Sequence, residues 1–186
     1  GGNGRHGQRP QSGVGRLRRP LVAYGDHGLG PGPGKKLEGA ALRIISTTPA
    51  RIDLAGGTLD LYPIYLLEEG VYTVNMAITL GSRVVLETGS SEGIRIVSED
   101  FGEEVTAPTP EGLPLSGCLD LLCRAVRFYG APPGTTIYTR GFAPPCSGLG
   151  ASSALLIALS AALCEVNKLR LPREKLIDNA WELEAQ

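Results

Sequence analysis

The residues best equipped for chemistry in this sequence gather in Pro144-Pro145-Cys146-Ser147-Gly148-Leu149-Gly150-Ala151-Ser152-Ser153, which runs directly into the apolar stretch Ala154-Leu155-Leu156-Ile157-Ala158-Leu159. The two prolines stiffen the approach and lack backbone donors, while Gly148 and Gly150 permit a tight turn whose remaining N–H groups can converge on one point. The pattern predicts a helix starting at about Ala151. Its first N–H groups have no intrahelical partners and its dipole favours negative charge. A polyphosphate suits that arrangement, with Ser152 and Ser153 adding hydroxyls for phosphate oxygens or a metal. A glycine-rich turn ahead of an Ala/Leu-rich helix is also an ordinary way to cap a core helix, so this stretch needs a second group of residues before it specifies a site.

A second group lies upstream, in Ala50-Arg51-Ile52-Asp53-Leu54-Ala55-Gly56-Gly57-Thr58-Leu59-Asp60. On an extended segment Arg51 and Asp53 share one face, opposite Ile52 and Leu54, before Gly56 and Gly57 let the backbone turn and pass close to something bound. Asp60 follows in a loop with Tyr62, Pro63 and Tyr65. The plain alternative is a surface Arg/Asp pair beside a Gly-Gly turn.

Composition removes several other chemistries. Both histidines, His6 and His27, lie near the N-terminus, so residues 41–186 cannot supply a Ser-His-Asp or Cys-His catalytic set or a His-containing zinc site. The four cysteines, Cys118, Cys123, Cys146 and Cys164, form no C-x-x-C pair and suit a reduced, cytoplasmic setting better than a disulfide framework. Residues 1–40 hold seven Lys/Arg against two Asp/Glu, and residues 41–186 eleven against seventeen. The acidic body, in which no basic aromatic sheet face is evident, argues against nucleic acid as a partner. The longest apolar run, Ala154 to Val166, is broken by Ser160 and too short to span a bilayer, and no secretory signal is evident.

The elements that must position these residues can be outlined. Residues 1–40 carry twelve of the 26 glycines with no period of 2 or 3.6, and are expected to be a disordered leader. Gly34-Lys35-Lys36 does not complete a P-loop, because Leu29 stands where the first glycine belongs and Lys36 where Ser/Thr is needed. Strands are expected at 42–45, 71–78, 82–87, 93–97, 103–106 and 134–139. Ser46-Thr47-Thr48-Pro49 is read as a break after the first, and Gly81 as a turn or bulge. Helices are expected over 115–129, ended by Gly130, from Ala151, and from Pro172 through Glu184. Leu115, Leu119, Leu122, Cys123 and Val126 recur as one buried face of the first helix, and both Cys118 and Cys123 are expected in or near the core.

Together the two motifs resemble the signatures of the GHMP small-molecule kinases (galactokinase, homoserine kinase, mevalonate kinase, phosphomevalonate kinase). Pro49 to Asp60 resembles the first signature and Pro144 to Ala154 the second, the ATP-binding loop, in the same order. The wording is most similar to the sugar-kinase branch, particularly heptose-phosphate kinases and fucokinases, although Thr58-Leu59 stand where that branch has Gly-Thr. The resemblance covers residues 41–186. It implies an α+β fold like the second domain of ribosomal protein S5, with a left-handed β-α-β crossover.

The resemblance also implies roles. ATP would be held by Pro145, Ser147, Gly148, Leu149, Gly150, Ala151, Ser152 and Ser153, and Mg²⁺ by Ser152 and Glu184, with Glu182 the second candidate. Arg51 would be catalytic, stabilising charge near the transferred phosphoryl or lowering the pKa of the attacking hydroxyl. Asp60, with Gly56 and Gly57, would bind a sugar or sugar phosphate. Many members carry a catalytic aspartate about a dozen residues after the metal glutamate. This chain ends two residues after Glu184, so it is expected to be an N-terminal half, inactive without its C-terminal half. Alternative readings are a kinase or decarboxylase for a non-sugar alcohol such as an isoprenoid-pathway acid, a non-catalytic sugar/ATP sensor, or an RNA-binding domain of S5-like fold.

Overall fold

The structure, a computed structural model, describes residues 23–24, 41–57, 67, 70, 72–144 and 147–185. Its strands are β1 (Ala23–Tyr24), β2 (Arg43–Ala55), β3 (Val74–Glu87), β4 (Ile94–Ser98), β5 (Glu103–Ala107) and β6 (Thr135–Gly141), in the sheet order β1-β2-β3-β6-β4-β5. Neighbours are antiparallel except β4 and β6, which run parallel. The chain passes between that parallel pair through β5 and helix α1 (Asp120–Tyr129), making a β-α-β crossover. Helices α2 (Ala151–Val166) and α3 (Arg173–Glu184) complete the α+β arrangement. Most of the stretch expected to be a disordered leader lies outside the described residues; the exception is β1, whose two residues pair with Ile45 and Ile44 at the edge of β2.

Alternation along the strands decides which face is covered. Ile44 of β2, Val84 and Leu86 of β3, Ile94 and Ile96 of β4 and Ile137 of β6 are fully buried against the helices. Helix α2 lies at the centre of the helical layer and is apolar nearly all round, burying Leu155, Leu156, Leu159, Leu163 and the alanines between them. Such a helix needs cover on both sides, which the sheet and its packing against α1 and α3 provide. Cys123 is buried in this core, and burial pushes its thiol up to about 11, so at neutral pH it stays protonated and serves as packing.

Several local expectations are corrected. Strand β2 does not break at Ser46–Pro49 but runs on to Ala55, because a register shift between Pro49 and Arg51 absorbs the proline's missing donor. Opposite it, Gly81 lies within one continuous strand β3, so the bulge reading holds and the turn reading does not. A Cβ at Gly81 would stand 2.1 Å from the Thr48 carbonyl oxygen, so the two backbones approach too closely there for any side chain. The first helix begins at Asp120 rather than Leu115; Gly117, at φ 86, turns the chain ahead of it and leaves Leu115 and Cys118 exposed instead of buried.

The sheet's other face also departs from expectation. Arg43, Arg83 and Arg140 stand there with Tyr138 and Phe142, a basic and aromatic surface assembled from three strands that no local stretch of sequence displays.

Within the core, the hydroxyls of Ser46 and Ser160 are buried without a hydrogen-bond partner among the described residues. Ser160 lies inside α2, where alanine is the better helix former and would remove the orphaned group. Ser160→Ala is expected to stabilise the protein by about 1 kcal/mol and raise its melting temperature by about 3 °C. A lower melting temperature would show that the hydroxyl is satisfied.

Candidate functional site

The glycine loop is fixed to the sheet at the β2–β3 irregularity. Thr48 and Ser82 are register partners there, and their hydroxyls donate to the first turn of α2: Thr48 Oγ1 to the Ala154 carbonyl at 2.5 Å and Ser82 Oγ to the Ala151 carbonyl at 3.3 Å. The Arg51 amide donates to the Leu149 carbonyl at 3.1 Å. The irregularity opposite Ala50, where β3 carries the extra residues, therefore sets both where Arg51 emerges and where the loop sits. Gly148 and Gly150 adopt φ 70 and φ 65, which disfavour a side chain, and a Cβ at Gly150 would lie in ordinary contact with the Arg51 side chain at 3.7 Å, so the backbone angle rather than crowding calls for glycine there.

Arg51 and Asp53 do share a face. Arg51 Nε lies 3.4 Å from Asp53 Oδ1, with the arginine side chain about half exposed. Gly56 has an internal reason to be glycine: at φ 74, a Cβ would meet the Tyr72 carbonyl oxygen at 2.3 Å, and the Gly56 carbonyl accepts from Thr73 Oγ1 at 3.0 Å. Gly57 is likewise crowded by Asp53. Asp60, expected to bind substrate, and Pro145 of the loop lie outside the described residues.

Helix α3 returns antiparallel along α2 after the loop that follows Val166, so its C-terminal end reaches the N-terminal end of α2. There Glu184 Oε1 accepts from Ser152 Oγ at 2.8 Å and Ser153 Oγ at 2.9 Å, and Oε2 accepts from Ser153 Oγ at 2.8 Å. A carboxylate at a helix N-terminus is also favoured by the dipole, so the contact has structural value by itself. Glu182, the second candidate, makes no such contact; two residues before Glu184 it lies roughly 200° around α3, and it is exposed.

Ser147 to Ser152 and Arg51 line one end of a cleft of about 590 Å³. Its other end is apolar: Phe101 from the β4–β5 turn, Cys118, Leu121 and Leu122 around the start of α1, and Leu155 of α2. Asp100 also lines the cleft and accepts from Ser98 Oγ at 2.8 Å. Sequence reasoning did not find this apolar wall. Exposed Phe101 in a tight turn and the doublet Leu121-Leu122, of which Leu122 is buried and Leu121 only partly so, were the available signals. A polar end rich in backbone donors and an apolar end of this size can take an anionic group joined to a flat apolar one.

The donors present suit ATP and Mg²⁺. The loop glycines leave room where phosphates would lie, and serine and carboxylate oxygens are hard donors of the type Mg²⁺ uses along with substrate phosphates and water. Among the described residues there is no group of three or more His, Cys, Asp or Glu side chains that could hold a metal ion. No helix among them is long and apolar enough to cross a membrane.

Residues 115–186 match the family model for the GHMP kinases N terminal domain. Solved structures share the fold. D-glycero-D-manno-heptose 1-phosphate kinase from Bacteroides thetaiotaomicron is 27% identical with a TM-score of 0.66, the match covering 78% of this chain and 48% of that one. Lactococcus lactis galactokinase, solved with galactose, is 22% identical with a TM-score of 0.60, covering 76% and 37%. Streptococcus pneumoniae phosphomevalonate kinase, solved with phosphomevalonate and AMPPNP, is 19% identical with a TM-score of 0.54, covering 74% and 42%. The chain thus spans less than half the length of these structures. No curated protein sequence matches it significantly.

Proposed function

We propose that this chain is the nucleotide-binding part of an ATP-dependent kinase that transfers the γ-phosphoryl group to a hydroxyl of a sugar or sugar phosphate. The observation that carries the proposal is the convergence of Ser152, Ser153 and Glu184 at the start of α2, directly after the glycine loop, with Ser152 lining the cleft that Arg51 also lines. The sugar assignment is supported by the heptose 1-phosphate kinase, the more similar in sequence of the three structures above.

In this reading the amides of Gly148 to Ser153 hold the phosphates, and adenine lies against Phe101, Leu121 and Leu122. Ser152 and Glu184 would hold Mg²⁺, which when bound neutralises charge across the phosphates. Arg51 places its guanidinium where charge grows on the transferred group as the bond to the departing ADP breaks and the bond to the acceptor oxygen forms. Asp60 accepts hydrogen bonds from sugar hydroxyls and orients the attacking one. Such a reaction is mainly positioning plus electrostatic stabilisation, which a rigid loop, a cation and a metal can supply.

A C-terminal half is part of the proposal. Tyr72 is 84% exposed beside Leu54, Val74 and Met76 at the free end of the β2–β3 ribbon, and Trp181 is 57% exposed beside Ile177 on α3. Apolar surface of this kind is what a second half would cover, and the chain alone is expected to bind nucleotide without turnover.

ATP-dependent phosphorylation of sugars, sugar phosphates and mevalonate by the full-length gene product, followed as ADP release, tests the reading. Sugar-dependent release supports it; release with mevalonate alone favours the isoprenoid-alcohol alternative, and binding without release favours a sensor. Asp60→Ala is expected to lower sugar-dependent turnover at least about a hundredfold while leaving ATP affinity within about threefold. Equal losses in sugar and ATP affinity would contradict the role given to Asp60.

A further inference from the structure

The face of the sheet that no helix among the described residues covers carries a second cleft, of about 560 Å³, on the side away from the glycine loop. Strand register arranges its side chains in three rows. One row sets Arg43 against Glu87, an ion pair at 3.0 Å. The middle row is the half-buried stripe Ile45, Val85, Tyr138 and Val97. The third places Arg83 directly opposite Arg140.

That third row has the wrong sign for a stable surface. Like charges directly opposite on paired strands repel. Arg140 has a loose contact with Glu99 at 3.5 Å and lies over the Phe142 ring at 5.3 Å, but Arg83 has no carboxylate partner among the described residues. Both arginines line this cleft from directly opposite positions on neighbouring strands, beside an apolar and aromatic floor, and one tetrahedral oxyanion between them would turn their repulsion into paired charge-assisted hydrogen bonds. A polyanion suits the face less well, because Glu87, Glu99 and Glu104 are interleaved with the arginines.

We propose that this face is a second ligand site, taking a small phosphomonoester with a flat apolar body: the phosphate between Arg83 and Arg140, the body over Val85 and Tyr138 beside Phe142. The cleft is of ordinary size for such a molecule. It is separate from the glycine-loop cleft and does not depend on the function proposed there.

The test is a titration of the full chain, labelled with 3-fluorotyrosine, with phenyl phosphate, inorganic phosphate and phenol in separate arms, the Tyr138 resonance being assigned through Tyr138→Phe. Phenyl phosphate is expected to move that resonance along a saturating curve, inorganic phosphate more weakly, and phenol not at all. Arg83→Gln is expected to weaken phenyl phosphate about tenfold, Arg83→Lys to recover part of the loss, and Ser152→Ala to change nothing. Arg140→Gln provides a second variant, each being compared at an unchanged melting temperature; Arg83 is exposed, so its replacement leaves the core intact. A linear response to both phosphates, or the same curve in Arg83→Gln and Arg140→Gln, would overturn the site. So would binding of a single-stranded RNA oligomer to this face with no response to phenyl phosphate.

Discussion

Replacing Glu184 by glutamine is expected to reduce the Mg²⁺-supported affinity for ATP by about a hundredfold or more, while changing the melting temperature by no more than about 3 °C. The amide keeps an oxygen that accepts from Ser152 and Ser153, so the contact joining α3 to α2 survives in outline. What is lost is the negative charge a hard divalent cation requires. Ser152→Ala should cost less, about tenfold, because it removes one neutral donor atom. Nucleotide titrations with and without Mg²⁺ separate the two roles of Glu184: in the variant the two curves should converge. If Glu184→Gln lowered the melting temperature strongly and left the Mg²⁺ dependence unchanged, the carboxylate would be a helix-end group only.

A second large effect is expected far from any ligand. Gly81→Ala should destabilise the protein by about 3 kcal/mol, lowering the melting temperature by about 10 °C, because the new Cβ would stand 2.1 Å from the Thr48 carbonyl oxygen. Backbone must then move, and it moves at the place where Thr48 and Ser82 hold the first turn of α2. Nucleotide affinity should fall with stability. Gly112→Ala is the control, since its Cβ meets only ordinary contacts at 3.4 Å and beyond. Equal melting temperatures for the two variants would show that β2 and β3 have slack at the bulge.

These two cases mark where the fold could be read in the sequence and where it could not. The start of α2 follows from Gly150 and the apolar residues after it, and the pairing of Arg51 with Asp53 follows from strand alternation; both are local. Glu184 could be placed through a family resemblance, but its contact with Ser152 depends on how α3 folds back along α2, which is a matter of tertiary packing. Pro49 read as a break because proline removes a ladder donor, yet a bulge accommodates it. Leu115 and Cys118 read as buried on helical spacing, which Gly117 interrupts. The apolar wall of the cleft and the arginine rows of the open face are drawn from elements distant in sequence, so no window along the chain contains them.

In the proposed function the loop, Arg51 and the Ser152–Glu184 contact form one metal-nucleotide site. A crystal structure of the full chain with AMPPNP and Mn²⁺, with the metal located by its anomalous signal, tests it most directly. The metal is expected in contact with Ser152 Oγ and the Glu184 carboxylate, the phosphates on the amides of Gly148 to Ser153, and the adenine against Phe101, Leu121 and Leu122. A nucleotide bound elsewhere, or a metal that leaves Glu184 hydrogen-bonded only to the two serines, would contradict it.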